Sequence, residues 1–325
     1  MAPTSAVFLR CMLASILASA CAIAAEQPYP ARPIRLVVPF PAGGGVDISA
    51  RVVGQKLAER LGASVVVDNR SGAAGIIGTD IVAKAQPDGY TLAMVAAGHT
   101  INPGLYRKLP YDAVKDFAPV SLVVLSPGIL VVGPGMRART AREFIELARA
   151  RPGQMTFSSA GTGSPPHLAM ELLKSMAGID LVHVPYKGGA EYMADVGGGR
   201  IDATITSIAA VLPLVKTGKA RALAVSSRTR AAATPEVPTM MEAGVPGYEA
   251  VSWYGLLAPA GTPRAVVERL SAETVRVLRM DDVRERLTGQ GLEPVGNTPR
   301  EFAARITEEL PKWSRVIQAA GIKIE

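Results

Sequence analysis

The sequence predicts two α/β lobes, each a mostly parallel sheet flanked by helices. Short continuous apolar runs, of the kind buried on both faces of a parallel sheet, alternate with segments of helical periodicity. That rhythm stops and restarts once, near residue 125. The chain's 325 residues also exceed what one hydrophobic core ordinarily holds, so two domains should share the buried surface.

Taken in order, Ile34–Val38 (IRLVV) is the first strand. It passes through Phe40, Pro41, Ala42, Gly43, Gly44 and Gly45 into a helix for which Asp47 is the expected cap. Ile48, Val52, Val53, Leu57 and Leu61 recur at helical spacing, and Gly62 supplies the stop. Residues 65–67 and 91–95 read as the next strands. Between them the small residues of 72–78 lead into a helix ending near Ala85. Beyond the break, 129–132 is a strand, and Thr140 with Glu143 forms a capping box opening a helix to Ala150. A short strand at 155–157 precedes Pro165, which suits the first turn of a helix carrying Leu168, Leu172 and Met176. Residues 181–184, 203–205 and 223–225 continue the strands. Thr262-Pro263 and Thr298-Pro299 each read as a cap with a first-turn proline, and Pro311 should kink or divide the last helix. Residues 119–125 and 221–225 are the expected crossings. The lobes are then 26–124 with 225–325, and 125–224.

The first 25 residues read as a secretory signal peptide. Arg10 gives the positive charge, 12–18 the apolar stretch, and Ala22-Ile23-Ala24 a small-x-small cleavage pattern. Lipoprotein processing before Cys21 is the rival, but Leu17 stands one position too far from that cysteine. Cys11 and Cys21 are the only two cysteines, so the mature chain would hold no thiol, disulfide or cysteine metal site. Export without disulfides suits the periplasm.

Thirty-five basic against 28 acidic residues give a net charge of +7. The densest basic stretch, 137–151, also contains Glu143 and Glu146, and aromatics are only 5%. Nucleic-acid grooves combine clustered cations with stacking rings, so nucleic acid is not the expected partner; acidic small molecules are. His99, His167 and His183 are the three histidines, none in a metal-ligand spacing. No metal and no cofactor are expected.

In open parallel sheets ligands sit beyond the carboxyl ends of strands. The first such place is 40–47, where three successive glycines leave amides uncovered before a helix start, matching neither GxxxxGK[ST] nor GxGxxG. A tight turn needing glycine for its own backbone angles is the equal alternative. Ser71-Gly72-Ala73-Ala74-Gly75 is a second small-residue loop, and His99 follows the third strand, as a ligand contact or a loop-stabilising partner. In the second lobe Ser159, Gly161, Thr162 and Ser164 precede a helix in which His167 lies one turn from Ser164. Ser164 reads as that helix's cap; a Ser164–His167 hydrolase pair lacks GxSxG around it. Lys187 offers a cation, and the Asp202 strand ends in hydroxyls at Thr206 and Ser207.

These stretches resemble, in order, the Bug/TctC family, the extracytoplasmic solute receptors of tripartite tricarboxylate transporters. The resemblance is carried by Val38-Pro39-Phe40-Pro41-Ala42-Gly43-Gly44-Gly45-Val46-Asp47, Asp68-Asn69-Arg70-Ser71-Gly72-Ala73-Ala74-Gly75, Pro87-Asp88-Gly89-Tyr90, Gly161-Thr162-Gly163-Ser164, Val184-Pro185-Tyr186-Lys187-Gly188 and Trp253-Tyr254-Gly255-Leu256. It implies a two-lobed periplasmic binding protein of the Venus flytrap, type II-like, architecture. It also implies a monomer that is not an enzyme, binds a small carboxylic acid and presents it to a membrane permease. By the same resemblance the loop 41–45 holds one carboxylate through backbone amides and waters. Ser159, Ser164, His167, the Lys187 region and the end of the Asp202 strand settle the rest. Ala73, Ala74 and His99 occupy positions that vary with ligand. Micromolar binding requires about −8 kcal/mol, while one helix terminus gives about 0.3–2 kcal/mol. Several loops from both lobes must therefore act together.

Overall fold

The computed structural model describes residues 29–186 and 189–323, with 189 and 190 as backbone only. The signal segment, both cysteines and Lys187 lie outside the described residues. From Arg32 onward the chain forms one compact unit with two sheets.

The first sheet has six strands. β1 (Ile34–Val38) pairs in parallel with β2 (Val65–Asn69) and β3 (Thr91–Ala96). β10 (Ser252–Pro259) lies antiparallel between β3 and β4 (Phe117–Ser126), and β11 (Glu293–Pro294) closes the edge. The second sheet has five strands. β6 (Thr156–Ser159) is parallel to β7 (Val182–Pro185) and β8 (Ala203–Ser207), whereas β5 (Gly128–Val132) is antiparallel to β8 and β9 (Arg221–Val225). The two-lobed α/β architecture is the expected one, but each sheet is mixed rather than mostly parallel. The reason is directional. β5 and β10 are the strands that arrive from the opposite lobe; they enter at the carboxyl ends of their neighbours and so run against them.

The helices follow the strands: α1 (Gly45–Leu61), α2 (Ile76–Ala83), α3 (Gly98–Leu105), α4 (Ala141–Ala150), α5 (Pro165–Ala177), α6 (Gly189–Gly197), α7 (Ile208–Lys216), α8 (Arg264–Leu278), α9 (Asp281–Thr288) and α10 (Pro299–Ala319). Several expected termini shift. α1 begins at Gly45, and Asp47 sits inside its first turn rather than capping it. Pro263, not Thr262, takes the position before α8. Thr298 and Glu301 make a full capping box on α10, which runs unbroken through Pro311. The runs expected as crossings are the flanking strands β4 and β9; the chain passes between sheets at 127 and through 226–251.

Ser226 ties those two passages together. Its amide donates to the Gly128 carbonyl and its hydroxyl accepts from the Gly128 amide, both at 2.8 Å. The same hydroxyl donates to the Ala250 carbonyl at 2.8 Å, and the Ala250 amide returns a bond to the Ser226 carbonyl at 3.0 Å.

α10 staples the first sheet at its centre. The buried Glu309 carboxylate accepts from Trp253 Nε1 at 2.8 Å and Thr100 Oγ1 at 2.9 Å, and pairs with Arg305 at 2.9 Å. Phe302 lies against Gly255 so closely that a Cβ there would stand 2.1 Å from the ring. Only glycine lets that helix seat on the strand.

Candidate ligand-binding site

Two cavities lie where the carboxyl ends of both sheets' strands face each other. The outer one, about 280 Å³, is walled on the first-lobe side by Phe40, Ala74, Ala96, Gly98, Ile101, Asn102, Leu105 and Tyr106. Ala160, Thr162, Gly163, Ser164 and Pro165 of the second lobe close it. The inner one, about 220 Å³, is lined by Ser126, Gly128, Ala250, Ser252 and Tyr254 near the passages, and by Pro165, Pro166, Ala169, Ile205, Thr206 and Ser207. Pro165 is common to both. A larger hollow of about 560 Å³ lies on the first lobe, between Pro103, Tyr106–Asp116 and Leu310. It is an open groove that meets no carboxyl end of a strand, so the paired cavities are the candidate site.

The glycine loop is shaped from behind. Asp47 accepts from the Gly43 amide at 2.9 Å, from Asn69 Nδ2 at 2.9 Å and from Arg51 Nε at 3.0 Å. Burial pushes its carboxyl up, but the bonds from Arg51, Gly43 and Asn69 outweigh this and hold it at about 2. Asp47 is therefore a brace for the loop, and its carboxylate is fully committed, contrary to the expected ligand contact. Pro41, Ala42, Gly43 and Gly44 are exposed. None of 41–45 lines either cavity, although Phe40 lines the outer one. Gly45 packs on Tyr254, which lines the inner one: a Cβ at Gly45 would stand 2.6 Å from the Tyr254 hydroxyl. Burial raises the Tyr254 pKa, with a hydrogen bond to Ser126 acting against it.

In the second small-residue loop Ala73 and Ala74 form a short 3-10 turn with φ of 46° and 53°. Left-handed backbone costs a non-glycine residue about 1–2 kcal/mol, and such strain concentrates at binding sites. Ala74 lines the outer cavity, and its carbonyl accepts from Asn102 Nδ2 at 3.3 Å.

His99 does not reach either cavity. Placed in the first turn of α3, its ring enters the first-lobe core, stacked on Tyr111 and edge-on to Phe117. Nε2 donates to the Ala113 carbonyl at 2.8 Å. Burial lowers its pKa to about 4, so it is neutral at pH 7.

The second-lobe loop is likewise held from beneath. Ser159 is fully buried; its hydroxyl contacts His183 Nε2 at 2.7 Å and donates to the Gly161 carbonyl at 3.0 Å. Gly161, with φ of 111°, turns the loop, and its carbonyl also takes the Ser164 hydroxyl at 2.6 Å. Ser164 thus occupies the cap position of α5, as expected, though its hydroxyl makes no capping bond to the helix amides. His167 is buried under the loop, where Nδ1 accepts from the Gly163 amide at 3.0 Å and Nε2 faces Glu171 at 3.7 Å. Its ring stacks on His183, with centroids 3.7 Å apart. Burial first, then the neighbouring His167, lowers the His183 pKa to about 4. With both hydrogen-bonding groups so engaged, Ser164 and His167 do not form a nucleophile–base pair, and His167 is a brace rather than a ligand contact.

Asp202 stands at the wrong end of β8. Its carboxylate accepts from the Thr156 amide at 2.8 Å and hydroxyl at 3.0 Å, about 13 Å of strand away from Thr206. Thr206 lines the inner cavity and bonds Tyr192 at 2.7 Å. Of the expected contacts, then, Phe40, Ala74, Thr162, Ser164 and Thr206 line the cavities. Asp47, His99, Ser159, His167 and Asp202 support them or lie apart, and Gly161 orders the loop. Ala96, Ile101, Asn102, Leu105, Tyr106, Ser126 and Ser252 were not foreseen as lining residues. Their signal, hydrophobic spacing on α3 and small polar residues at strand ends, is common to any buried helix or strand.

A profile described as "Tripartite tricarboxylate transporter family receptor" matches residues 49–322. The chain belongs to that family. A UPF0065 protein in the tcbD-tcbE intergenic region of Pseudomonas sp. (strain P51) is 42% identical over 290 residues, covering 89% of this chain and 86% of that one. Two solved structures share the fold. R. palustris Rpa4515, solved with adipate, is 37% identical with a TM-score of 0.77, covering 91% of this chain and all of its own. The periplasmic binding protein BugD is 34% identical with a TM-score of 0.74, again covering 91% and all of its own. The family is one of solute receptors, and among the described residues no helix is long and apolar enough to cross a membrane.

Proposed function

We propose that this receptor is exported to the periplasm, captures a small carboxylic acid between lobes 26–124 with 225–325 and 125–224, and presents it to the membrane permease of a tripartite tricarboxylate transporter. The observation that carries this is the convergence of strand-end loops from two sheets on adjoining cavities. The adipate held by a relative of 37% identity supports the ligand class. In this reading the carboxylate meets the amides of 42, 44 and 45 and of 73–74, with Lys187 and the hydroxyls of Thr162 and Thr206 completing the grip. Binding draws the lobes together because only the closed form offers both walls at once.

The test is thermal unfolding of ligand-stripped protein against di-, tri- and aromatic carboxylates. A true ligand at 100 times its Kd stabilises by about 2.7 kcal/mol. No response to any of them would sink the proposal. Export is checked separately, by finding the processed chain, cut near residue 25, in the periplasmic fraction.

A further inference from the structure

We propose that the outer cavity selects an acid with one carboxylate on an apolar body the size of a single ring, in preference to hydroxylated or multiply charged acids. The inference rests on the receptor reading above and narrows it.

The wall is apolar where it matters. Phe40, Ala74, Ala96, Ile101, Leu105 and Pro165 contribute carbon surface. The polar side chains are few and partly spent: Asn102 donates to the Ala74 carbonyl, and the Ser164 hydroxyl donates to Gly161. Among the described residues no Lys, Arg or His lines either cavity. A buried carboxylate without donors loses its hydration uncompensated, so this wall favours carbon over charge.

On the second-lobe side Thr162 is the donor left to the ligand, while its neighbours are spent. α5 opens with Pro165 and Pro166, which carry no N–H. The Gly161 amide is bonded to Ser159, the Gly163 amide to His167 and the Ser164 amide to the Gly161 carbonyl. Charge therefore concentrates at one end of the ligand. The volume sets only the size: 280 Å³, at about 30 Å³ per water, holds about nine water-sized groups, room for one ring with its carboxylate.

Titration calorimetry on the ligand-stripped full chain tests this with benzoate, cyclohexanecarboxylate and hexanoate against malate, adipate and citrate. The best monocarboxylate should bind at least tenfold tighter than every multiply charged acid. A smaller margin or the reverse order overturns the inference and leaves the receptor reading standing; no binding by any of the six overturns both. In Ala96→Val, which narrows the cavity, the preferred monocarboxylate should weaken at least tenfold. Unchanged affinity in the folded variant would put the apolar body elsewhere and overturn the assignment. If the variant fails to fold, the wild-type panel decides alone.

Discussion

At position 47 a buried carboxylate gathers a backbone amide, an asparagine and an arginine, and its charge holds the glycine loop at Gly43. Its pKa is depressed to about 2, so the stabilisation is complete above the ordinary value near 4 and is lost as pH falls through 2. With Arg51 half exposed, about 1–2 kcal/mol is a fair size. Asp47→Asn should lose that amount at pH 7 in urea melts and titrate less steeply than the parent between pH 4 and 2. His99 runs over a different window. Its folded pKa of about 4 lies below the ordinary 6.5, so the folded state binds fewer protons between the two. Stability is full above pH 6.5 and is lost as pH falls through 4, by up to about 3 kcal/mol. His99→Phe should keep the ring packing, forfeit about 1–3 kcal/mol for the stranded Ala113 carbonyl at neutral pH, and flatten the slope from pH 6.5 to 4. Asp47's role was not legible in the sequence, and for His99 the sequence left open the choice that the bond to Ala113 decides in favour of a loop-stabilising partner. Both stand next to the right loops, but spacing does not say whether a side chain faces the cavity or the core behind it.

Elements were easier to read than their directions. Apolar runs located β1, β3 and β5 because strands covered on both faces have no polar side to interrupt them. β10 went unread, although its central Trp253, Gly255 and Leu256 are buried, since its aromatic and glycine residues lack an alternating pattern and it enters its sheet backwards. What fixes β10 is tertiary. Glu309 on α10 reaches Trp253 and Thr100 together. Glu309→Ala would strand both donors and the Arg305 charge, and about 3–5 kcal/mol should be missing from its unfolding free energy. At the other face Gly45 leaves room for the Tyr254 hydroxyl. Gly45→Ala should lower ligand affinity at least tenfold, with part of the loss recovered in Gly45→Ala/Tyr254→Phe. Independent, additive effects in that double-mutant cycle would show that the two residues do not share a contact.

For the molecule as a whole, the decisive feature is the buried Ser226 that joins both passages between the lobes. Ser226→Ala should cost about 1–3 kcal/mol through the unpaired Gly128 amide, with a larger loss if the passages separate. A joint pinned at one point turns but does not slide. The inner cavity adjoins that pin, since Gly128 and Ala250 line it, so in the proposed closure its walls would keep nearly constant separation. The outer cavity, bounded by Ala74 and Thr162, lies out along the lever arm, where a small rotation opens a wide mouth. A molecule gripped there has mechanical advantage over the swing of the lobes; one lodged beside the axle has almost none.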